Sequence, residues 1–213
     1  MKPPSHSTAK QQADRIQNYY TFQSKIYDLT RWSFLFGRKG ILQHLPFAHE
    51  ETFHLLEVGC GTGHNLARVR KFYPEAQLTG MDVSKDMLGI ARRKFANQES
   101  VILLEQPYER KFYSWTGKLD AILFSYSLTM INPQWQELIQ QAYKDLRPGG
   151  VIAVADFHDS NWPGFKRHMG GHHVRMDGHL LPVLASNFQT VVAQVSDAYL
   201  GVWEYLLYVG KKI

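Results

Sequence analysis

The chain has 213 residues, of which 44% are hydrophobic and 20% are charged, and its formal net charge is +5. This size and balance fit one globular domain and would be cramped for two. The sequence has no run of about eighteen apolar residues and begins without the apolar segment of a signal peptide, which favours a cytoplasmic protein. The single cysteine, Cys60, fits a reducing compartment, and the positive charge favours anionic surfaces without requiring them.

The N-terminal region is polar at first and then unusually aromatic. Residues 1–12 are polar and contain two adjacent prolines, so we predict a disordered tail there. Residues 14–44 have a helical pattern with interleaved aromatic and basic side chains, which Gly37 divides into two predicted helices. Amphipathic helices that cover one end of a sheet are the simplest interpretation of this segment.

A glycine-rich loop follows the first predicted strand, residues 53–58. Gly59, Gly61 and Gly63 stand at alternate positions and lead into a helical pattern over residues 65–72. Glycine tolerates positive φ and has no Cβ, so a ligand can approach the loop amides closely. The spacing is GxGxG and no phosphate-loop lysine follows, which argues against a pyrophosphate ligand. A tight turn that binds nothing is the alternative.

The second predicted strand, residues 76–81, ends in Asp82, which lies nineteen residues after the last of these glycines. Nucleotide-binding folds place an acid here to accept hydrogen bonds from a ribose diol. Ser84 is a good N-cap for a helix over residues 85–95. A third strand is predicted at residues 101–104.

Two further strands complete the predicted parallel sheet. The fourth covers residues 120–124, and a helix over residues 133–146 and a turn at residues 147–150 lead to the fifth, residues 151–155. The strand–helix alternation predicts an α/β fold with a doubly wound, Rossmann-like sheet, in which ligands lie at the carboxyl ends of the strands. Five residues fall at these ends: Gly59, Asp82, Gln106, Ser125 and Asp156.

The regular alternation of strand and helix patterns ends at about residue 156. Residues 157–188 show no clear period and are interpreted as an insertion on the substrate side, with a helix over residues 178–188. Residues 189–213 form the last predicted segment, in which residues 189–196 and 203–211 alternate like two strands.

Five of the ten histidines lie within 22 residues: His158, His168, His172, His173 and His179. We expect no metal site, because no cysteine accompanies them and an adjacent pair cannot aim at one ion from a regular helix. Surface or packing histidines and acid/base chemistry in a substrate pocket both stay open. His158 is the best single candidate for a catalytic role, because it lies just past the fifth strand.

Three segments resemble motifs of the class I S-adenosylmethionine-dependent methyltransferases: EVGCGTG at 57–63, GMDVSKDML at 80–88 and LRPGG at 146–150. The resemblance covers roughly residues 50–156. It implies S-adenosylmethionine as the cofactor and a sheet that ends in an antiparallel hairpin with one strand inserted between its neighbours. The cofactor contacts that it implies are Tyr27, Glu57, Gly59, Gly61, Gly63, Asp82, Val83, Met87, Gln106 and Ser125.

Two details of this resemblance concern the cofactor directly. The family usually has an Asp followed by a small residue where this chain has Glu105 and Gln106, so the contact with the adenine amino group passes to the Gln106 amide, to Glu105 or to a backbone group. The pair Tyr27 and Asp28 resembles part of the family's N-terminal lid, here residues 13–45. The resemblance implies that the Tyr27 hydroxyl faces the carboxylate end of the cofactor, beside the reaction.

The flanks are similar to bacterial lipid N-methyltransferases, in particular the diacylglycerol-homoserine enzyme of betaine-lipid synthesis. The similarity rests on the basic aromatic N-terminal segment, on residues 36–38 and on the segment from His173 to Arg175. It implies an amine acceptor on a lipid headgroup, substrate contacts from His173 and Arg175, and peripheral contact with an anionic membrane. His158 would serve as the base for the amine.

Two alternatives remain at this point. A soluble small molecule or a quinone as acceptor would keep every cofactor residue and lose only the membrane argument. A non-catalytic relative that binds the cofactor or RNA is the other. We expect no nucleic-acid partner, because the sequence has no arginine-glycine or lysine-rich run.

Overall fold

A computed structural model of the chain describes residues 35–109, 115–131 and 133–213. The predicted disordered tail and most of the predicted lid, including Tyr27 and Asp28, lie outside these ranges. Within them, no helix has the length and the hydrophobicity that crossing a bilayer requires.

The described elements alternate between helices and strands along most of the chain. In chain order they are α1 (Arg38–Gln43), β1 (His54–Val58), α2 (His64–Phe72), β2 (Gln77–Asp82), α3 (Lys85–Lys94), β3 (Val101–Glu105), β4 (Leu119–Ser125), α4 (Trp135–Asp145), β5 (Leu146–Phe157), α5 (Pro163–Gly171), α6 (Leu180–Asn187), β6 (Gln189–Ala198) and β7 (Trp203–Lys211). Except for β5, the predicted strands begin and end within two residues of the observed ones.

The seven strands form one sheet in the order β3-β2-β1-β4-β5-β7-β6. The strands from β3 to β5 are parallel, and β7 is antiparallel to both β5 and β6. This confirms the predicted α/β fold, with a doubly wound sheet and a hairpin whose second strand is inserted between its neighbours. The strand order reverses between β1 and β4, so a ligand crevice is expected at the carboxyl ends of these two strands.

The core has two layers because helices cover both faces of the sheet. Neighbouring residues of β1 point to opposite faces: Leu55 belongs to a buried cluster with side chains of α1, α2 and α3, and Leu56 belongs to one with side chains of α4 and α6. A strand that is covered on both faces must be apolar almost throughout. This explains the continuous apolar sequences of β4 and β5.

A third cluster lies at the carboxyl edge of the parallel strands. Its buried members are Tyr126, Phe157, Val174, Met176, Ala198 and Trp203. The antiparallel pairing of Phe157 with Tyr205 brings the start of β7 to this edge. The cluster therefore lies beside the expected ligand crevice.

The predicted turn at residues 147–150 is wrong. Strand β5 begins at Leu146, directly after α4, and Leu146 pairs with Leu119 before the register shifts. Gly149 has a φ of 79° within this strand, and a Cβ on Gly150 would lie 3.0 Å from the Leu119 carbonyl oxygen. The two glycines thus form an irregular first part of the strand, where the neighbouring backbone is too close for side chains.

One step of the predicted alternation also differs. Strands β3 and β4 are connected by residues 106–118, of which the structure describes 106–109 and 115–118. These two stretches form bends and turns and contain no helix.

Helix α1 begins directly after Gly37, where the predicted break falls. Gly37 has a φ of 75°, and a Cβ on it would lie 2.6 Å from Cδ2 of Leu207 on β7. Positive φ and this close approach both require glycine here.

Candidate active site

The glycine loop after β1 is closed by Asp82 at the end of β2. Gly59, Gly61 and Gly63 have φ angles of 75°, 53° and 71°. The Asp82 carboxylate accepts hydrogen bonds from the backbone amides of Gly61 at 2.7 Å and of Ser84 at 2.8 Å. A carboxylate offers about four acceptor positions, so these two bonds leave capacity for a ribose diol.

Ser127 lies directly over the glycine loop. A Cβ on Gly59 would be 2.9 Å from Cβ of Ser127. Ser125 and Ser127 are both buried, and their hydroxyl oxygens have no hydrogen-bond partner within the part of the chain that the structure describes. Buried hydroxyls are normally paired, so these two mark a place where a polar ligand or water fits.

Glu57 stands behind the loop and is 1% exposed. Its carboxylate accepts a hydrogen bond from the Asn65 side-chain amide at 2.7 Å, and the Asn65 carbonyl oxygen accepts one from Nε of Arg38 at 3.1 Å. These contacts join β1 to α2 and α1. A direct contact of Glu57 with the cofactor stays a prediction.

Three of the predicted cofactor contacts, Val83, Met87 and Gln106, lie just after β2, at the start of α3 and just after β3. Val83 is 56% exposed, whereas Met87 is buried at the start of α3. The backbone N–H of Gln106 donates to the Asp82 carbonyl oxygen at 3.1 Å, and this bond holds Gln106 beside the loop. Glu105 is paired with Arg92 at 3.2 Å. This pairing makes Gln106 the better of the two side chains for a contact with adenine.

The buried carboxylate of Asp156 holds the loop after β4 in place. It is fully buried, and its carboxylate accepts hydrogen bonds from the amides of Ser127, Leu128, Thr129 and Phe157 and from the Thr129 hydroxyl. Burial raises the pKa of Asp156 from 3.8 to about 6, against the lowering effect of these hydrogen bonds. Although Asp156 falls at a strand end, its described contacts are those of a structural anchor.

The raised pKa of Asp156 predicts that stability falls as the pH rises. The folded state binds the proton more tightly than the unfolded chain, so this stabilisation is complete below about pH 4 and is lost as the pH rises through about 6. The expected loss is about 3 kcal/mol, from about 1.4 kcal/mol per pKa unit. Urea unfolding of the wild-type protein and of Asp156→Asn between pH 4 and 7 measures it, because the difference between them isolates this carboxyl. Parallel pH profiles would contradict the raised pKa.

His158 follows β5 at the carboxyl edge. Its amide donates to the Glu204 carbonyl oxygen at 2.8 Å, and its own carbonyl oxygen accepts from the amide of Gly178 at 2.9 Å. A Cβ on Gly178 would lie 3.4 Å from Cε1 of the His158 ring. Nδ1 of His158 is buried, with no hydrogen-bond partner in the described ranges.

Arg175 is held close to the loop after β4. Its amide donates to the Thr129 carbonyl oxygen at 3.0 Å. Its guanidinium lies 5.6 Å from the centre of the Trp135 ring and bonds Asp177 at 2.8 Å. Arg175 is thus connected through its backbone to the loop after β4, and its exposed side chain, paired with Asp177, lies at the same edge.

Asp177 is paired with His179, a contact that was not predicted from the sequence. Nδ1 of His179 lies 2.5 Å from the Asp177 carboxylate, and its ring centre lies 4.5 Å from that of Trp135. Burial lowers the pKa of His179, with Asp177 opposing this effect. Nε2 is buried, without a hydrogen-bond partner among the described residues. The D-x-H spacing was the only available signal, and it is common in sequences without such a pair.

The backbone amide of His173 bonds to α5 and not to His158, Arg175 or His179. Its φ is 63°, and its amide donates to the Gly170 carbonyl oxygen at 3.1 Å, as expected for a residue that ends α5. It is exposed, and a contact with substrate stays a prediction.

His168 and His172 lie on or at the end of the same helix, with ring centres 4.9 Å apart. The described residues contain no group of three or more potential metal ligands.

Tyr126 is a further residue that the sequence analysis missed. It has a φ of 54°, although it is not glycine, and its hydroxyl donates to the Phe36 carbonyl oxygen at 2.8 Å. It thereby connects the segment before α1 to the end of β4. Tyr126 thus has a strained backbone between Ser125 and Ser127, and such strain is typical of functional sites.

Cys60 is 3% exposed, and burial raises the pKa of its thiol far above the ordinary value. It therefore fills space behind the loop and has no access to a reacting group.

Residues 55–150 match a family model described as a methyltransferase domain. Carboxy-S-adenosyl-L-methionine synthase of Trichodesmium erythraeum is 30% identical over 121 residues, which are 56% of this chain and 48% of that protein. Demethylmenaquinone methyltransferase of Listeria welshimeri is 29% identical over 118 residues, 54% of this chain and 49% of that protein. The chain spans about half the length of these curated relatives.

Solved structures share the fold over most of the chain. The 1,6-didemethyltoxoflavin-N1-methyltransferase of Burkholderia thailandensis aligns with a TM-score of 0.69 and 17% identity, over 100% of this chain and 93% of that one. Geranyl diphosphate C-methyltransferase of Streptomyces coelicolor aligns with a TM-score of 0.65 and 13% identity, over 83% of this chain and 75% of that one.

These matches agree with the predicted class and show the predicted fold. Residues 55–150 are thus similar to a methyltransferase domain, and the chain has the fold of these two solved structures, both of which contain S-adenosylhomocysteine. The glycine loop, Asp82 and the exposed Val83 fit such a nucleoside-containing cofactor. The methyl acceptor and the roles of individual residues belong to the proposals below.

Proposed function

We propose that the protein is an S-adenosylmethionine-dependent methyltransferase that methylates an amine on a lipid headgroup. The observation that carries this proposal is a set of buried polar atoms at the carboxyl edge that have no hydrogen-bond partner among the described residues. They are Oγ of Ser125, Oγ of Ser127, Nδ1 of His158, Nε2 of His179 and Nε1 of Trp203. An acceptor with several polar groups would pair with such atoms, whereas an apolar acceptor would leave them unpaired.

The cofactor half of the site follows from the glycine loop. The positive φ of Gly59, Gly61 and Gly63 turns the loop backbone towards the ligand, and Asp82 binds the ribose hydroxyls. Val83 and Met87 contact the adenine ring, and Gln106 its amino group. When bound, S-adenosylmethionine supplies an electrophilic methyl carbon, so the protein mainly has to hold an acceptor in line with it.

An amine acceptor also needs a base, because a protonated amine has no lone pair for the attack. His158 takes this proton in the proposed mechanism, because histidine is the side chain that most often serves as a general base. Ser125 contacts the cofactor, as the resemblance implies, and the adjacent Ser127 holds the acceptor beside it. Tyr27 faces the carboxylate end of the cofactor from the proposed lid.

Arg175 is proposed to bind an anionic group of the acceptor, such as a carboxylate or phosphate. Replacing it with glutamine is expected to raise KM for the acceptor about tenfold with little change in kcat, because a hydrogen bond to a charged group contributes about 1.5 to 3 kcal/mol. Initial rates with labelled S-adenosylmethionine measure this effect. Arg93→Gln on the exposed side of α3 is the matched control. An unchanged KM in Arg175→Gln would exclude the contact.

The proposed function is tested with methyl-labelled S-adenosylmethionine and a total lipid extract. After incubation, the lipids are separated into neutral, anionic and amine-containing fractions. We expect label in an amine-containing lipid with wild-type protein and much less with His158→Gln. Label that appears only in water-soluble products would contradict a lipid acceptor.

A quinone is the second candidate acceptor, and the similarity to demethylmenaquinone methyltransferase favours it. The same assay separates the two candidates, because a methylated quinone would carry label into the neutral lipid fraction.

A further inference from the structure

The segment between α5 and α6 contains a buried histidine that is bonded to an aspartate through one ring nitrogen. His179 directly precedes α6, and its side chain is 6% exposed. Nδ1 of the ring lies 2.5 Å from Oδ1 of Asp177, whereas Nε2 is buried and has no hydrogen-bond partner among the described residues. The two nitrogens point in different directions from the ring. Because the Asp177 side chain is 44% exposed, Nδ1 faces outward and the buried Nε2 faces the interior.

The charge of Asp177 decides which nitrogen of His179 carries a hydrogen. Burial raises the pKa of Asp177, but the hydrogen bonds from Arg175 and His179 outweigh this effect, so its pKa lies below the ordinary value. An ionised carboxylate only accepts hydrogen bonds, so Nδ1 must be the donor. Burial lowers the pKa of His179, which keeps its ring neutral at neutral pH. Nε2 of this neutral ring then has a lone pair and no hydrogen.

Contacts on several sides hold this pair in one geometry. Oδ2 of Asp177 accepts from Nε of Arg175 at 2.8 Å, so each oxygen of the carboxylate has a partner. The centre of the Trp135 ring lies 4.5 Å from that of His179 and 5.6 Å from the guanidinium of Arg175. The amide of Arg175 donates to the Thr129 carbonyl oxygen at 3.0 Å. The pair is therefore fixed relative to the loop after β4.

His179 also lies beside the proposed base of the site. The amide of Gly178 donates to the His158 carbonyl oxygen at 2.9 Å, and a Cβ on Gly178 would lie 3.4 Å from Cε1 of the His158 ring. Besides burial, the positive charges of Arg175 and His158 lower the pKa of His179. Nδ1 of His158 and Nε2 of His179 are thus two buried histidine nitrogens in one region, and neither has a hydrogen-bond partner within the described ranges.

The lone pair on Nε2 of His179 restricts which ligand group can pair with it. A buried acceptor without a donor costs stability, and a ligand or a water with a hydrogen to donate removes this cost. Only an N–H or O–H group has such a hydrogen, whereas a carboxylate and a quaternary ammonium group have none. An amine that carries more than one N–H can bond to both histidines at the same time.

We propose that His179 binds the methyl acceptor by accepting a hydrogen bond at Nε2 from its N–H or O–H group, and that Asp177 is the positioning residue that fixes the tautomer of the ring. The proposed function supplies the identity of this group as an amine, and the inference rests on it to that extent. While His158 removes one proton from the amine, His179 holds a second N–H. The lone pair that His158 uncovers therefore has one fixed direction.

The first test determines the tautomer without any methyl transfer. Magnetic resonance of the isotopically labelled full chain, with S-adenosylhomocysteine at neutral pH, distinguishes hydrogen on Nδ1 from hydrogen on Nε2, and the signals lost in His179→Phe assign the ring. We expect hydrogen on Nδ1 in the wild type. Asp177→Asn should populate the other tautomer, because the asparagine amide can donate to Nδ1. Hydrogen on Nε2 in the wild type would overturn the proposal, and an unchanged tautomer in Asp177→Asn would overturn the role of Asp177.

The second test measures initial rates for the acceptor fraction that the wild-type protein labels. His179→Phe keeps a flat ring and removes Nε2, so kcat/KM for the acceptor should fall at least about tenfold with unchanged affinity for S-adenosylmethionine. His179→Gln should retain more activity than His179→Phe, because its amide oxygen can accept the same hydrogen bond, and it serves if His179→Phe does not fold. His168→Phe, on the exposed side of α5, is the matched control and should behave as the wild type. Wild-type kcat and KM in folded His179→Phe or His179→Gln, with no difference between them, would overturn the proposal and leave His179 a packing residue only.

Failure of this inference and failure of the proposed function are distinguishable. Label in an amine-containing lipid with no loss of rate in His179→Phe supports the proposed acceptor and overturns the contact with His179. Label only in neutral or water-soluble products, together with a large loss of rate in His179→Phe, contradicts the proposed acceptor and supports the contact with a hydrogen of the labelled one.

Discussion

Replacing Asp156 with alanine is expected to destabilise the folded protein by about 3 kcal/mol or more at neutral pH. The carboxylate accepts hydrogen bonds from four backbone amides and one hydroxyl in a fully buried place. Each buried donor that is left unpaired costs about 1 to 3 kcal/mol, part of which relaxation recovers. Removing the carboxylate also removes the cost of burying its charge, so the net effect is smaller than the sum. Chemical denaturation with an unchanged m-value measures it.

Asp197→Ala is the matched control for Asp156→Ala. Asp197 is an exposed carboxylate on β6, and its removal should change stability by less than about 0.5 kcal/mol. If both variants unfold at the same denaturant concentration, the loop after β4 does not depend on Asp156. The assignment of Asp156 as an anchor of this loop would then be wrong.

Replacing Asp82 with alanine is expected to weaken S-adenosylmethionine binding about ten- to a hundredfold. The variant loses the proposed acceptor for the ribose diol, a charged hydrogen bond worth about 1.5 to 3 kcal/mol. It also loses the acceptor that holds the amides of Gly61 and Ser84 at 2.7 and 2.8 Å, so the glycine loop loses a restraint. Titration calorimetry with S-adenosylmethionine or its demethylated product measures the affinity.

Asp86→Ala controls for the loss of one negative charge. Asp86 lies four residues further on, in the first turn of α3, and is exposed. It should bind the cofactor as the wild-type protein does. An unchanged affinity in a folded Asp82→Ala protein would remove the ribose assignment.

The central strands of the sheet were predicted well because they are covered on both faces. A continuous apolar run such as that of β4 has few other interpretations in an α/β protein. The irregular start of β5 was missed because the prediction rested on local composition. Pro148, Gly149 and Gly150 have the composition of a turn, and only the pairing of Leu146 with Leu119 makes the segment part of a strand. Pairing between distant strands is not visible in local composition.

The site was predictable where the backbone conformation requires a particular residue type. Three alternate glycines and an acid nineteen residues later indicate the cofactor loop in the sequence, and the positive φ of all three glycines explains why this residue type is needed there. The roles of Asp156 and His179 were not predictable. A buried carboxylate that binds four amides and a ligand carboxylate look identical in sequence, and the partners of His179 are recognised only once the segment after α5 is folded.

The position of β7 has a consequence for synthesis of the chain. Strand β6 has one neighbour in the sheet, β7, which follows it in sequence and must pair with β5. While residues 203–211 are still being made, the apolar strand β5 has an open edge and β6 has nothing to join. Late pairing of this kind slows folding and exposes an edge that other chains can bind. We therefore expect nascent chains that stop between β6 and β7 to aggregate or to require a chaperone.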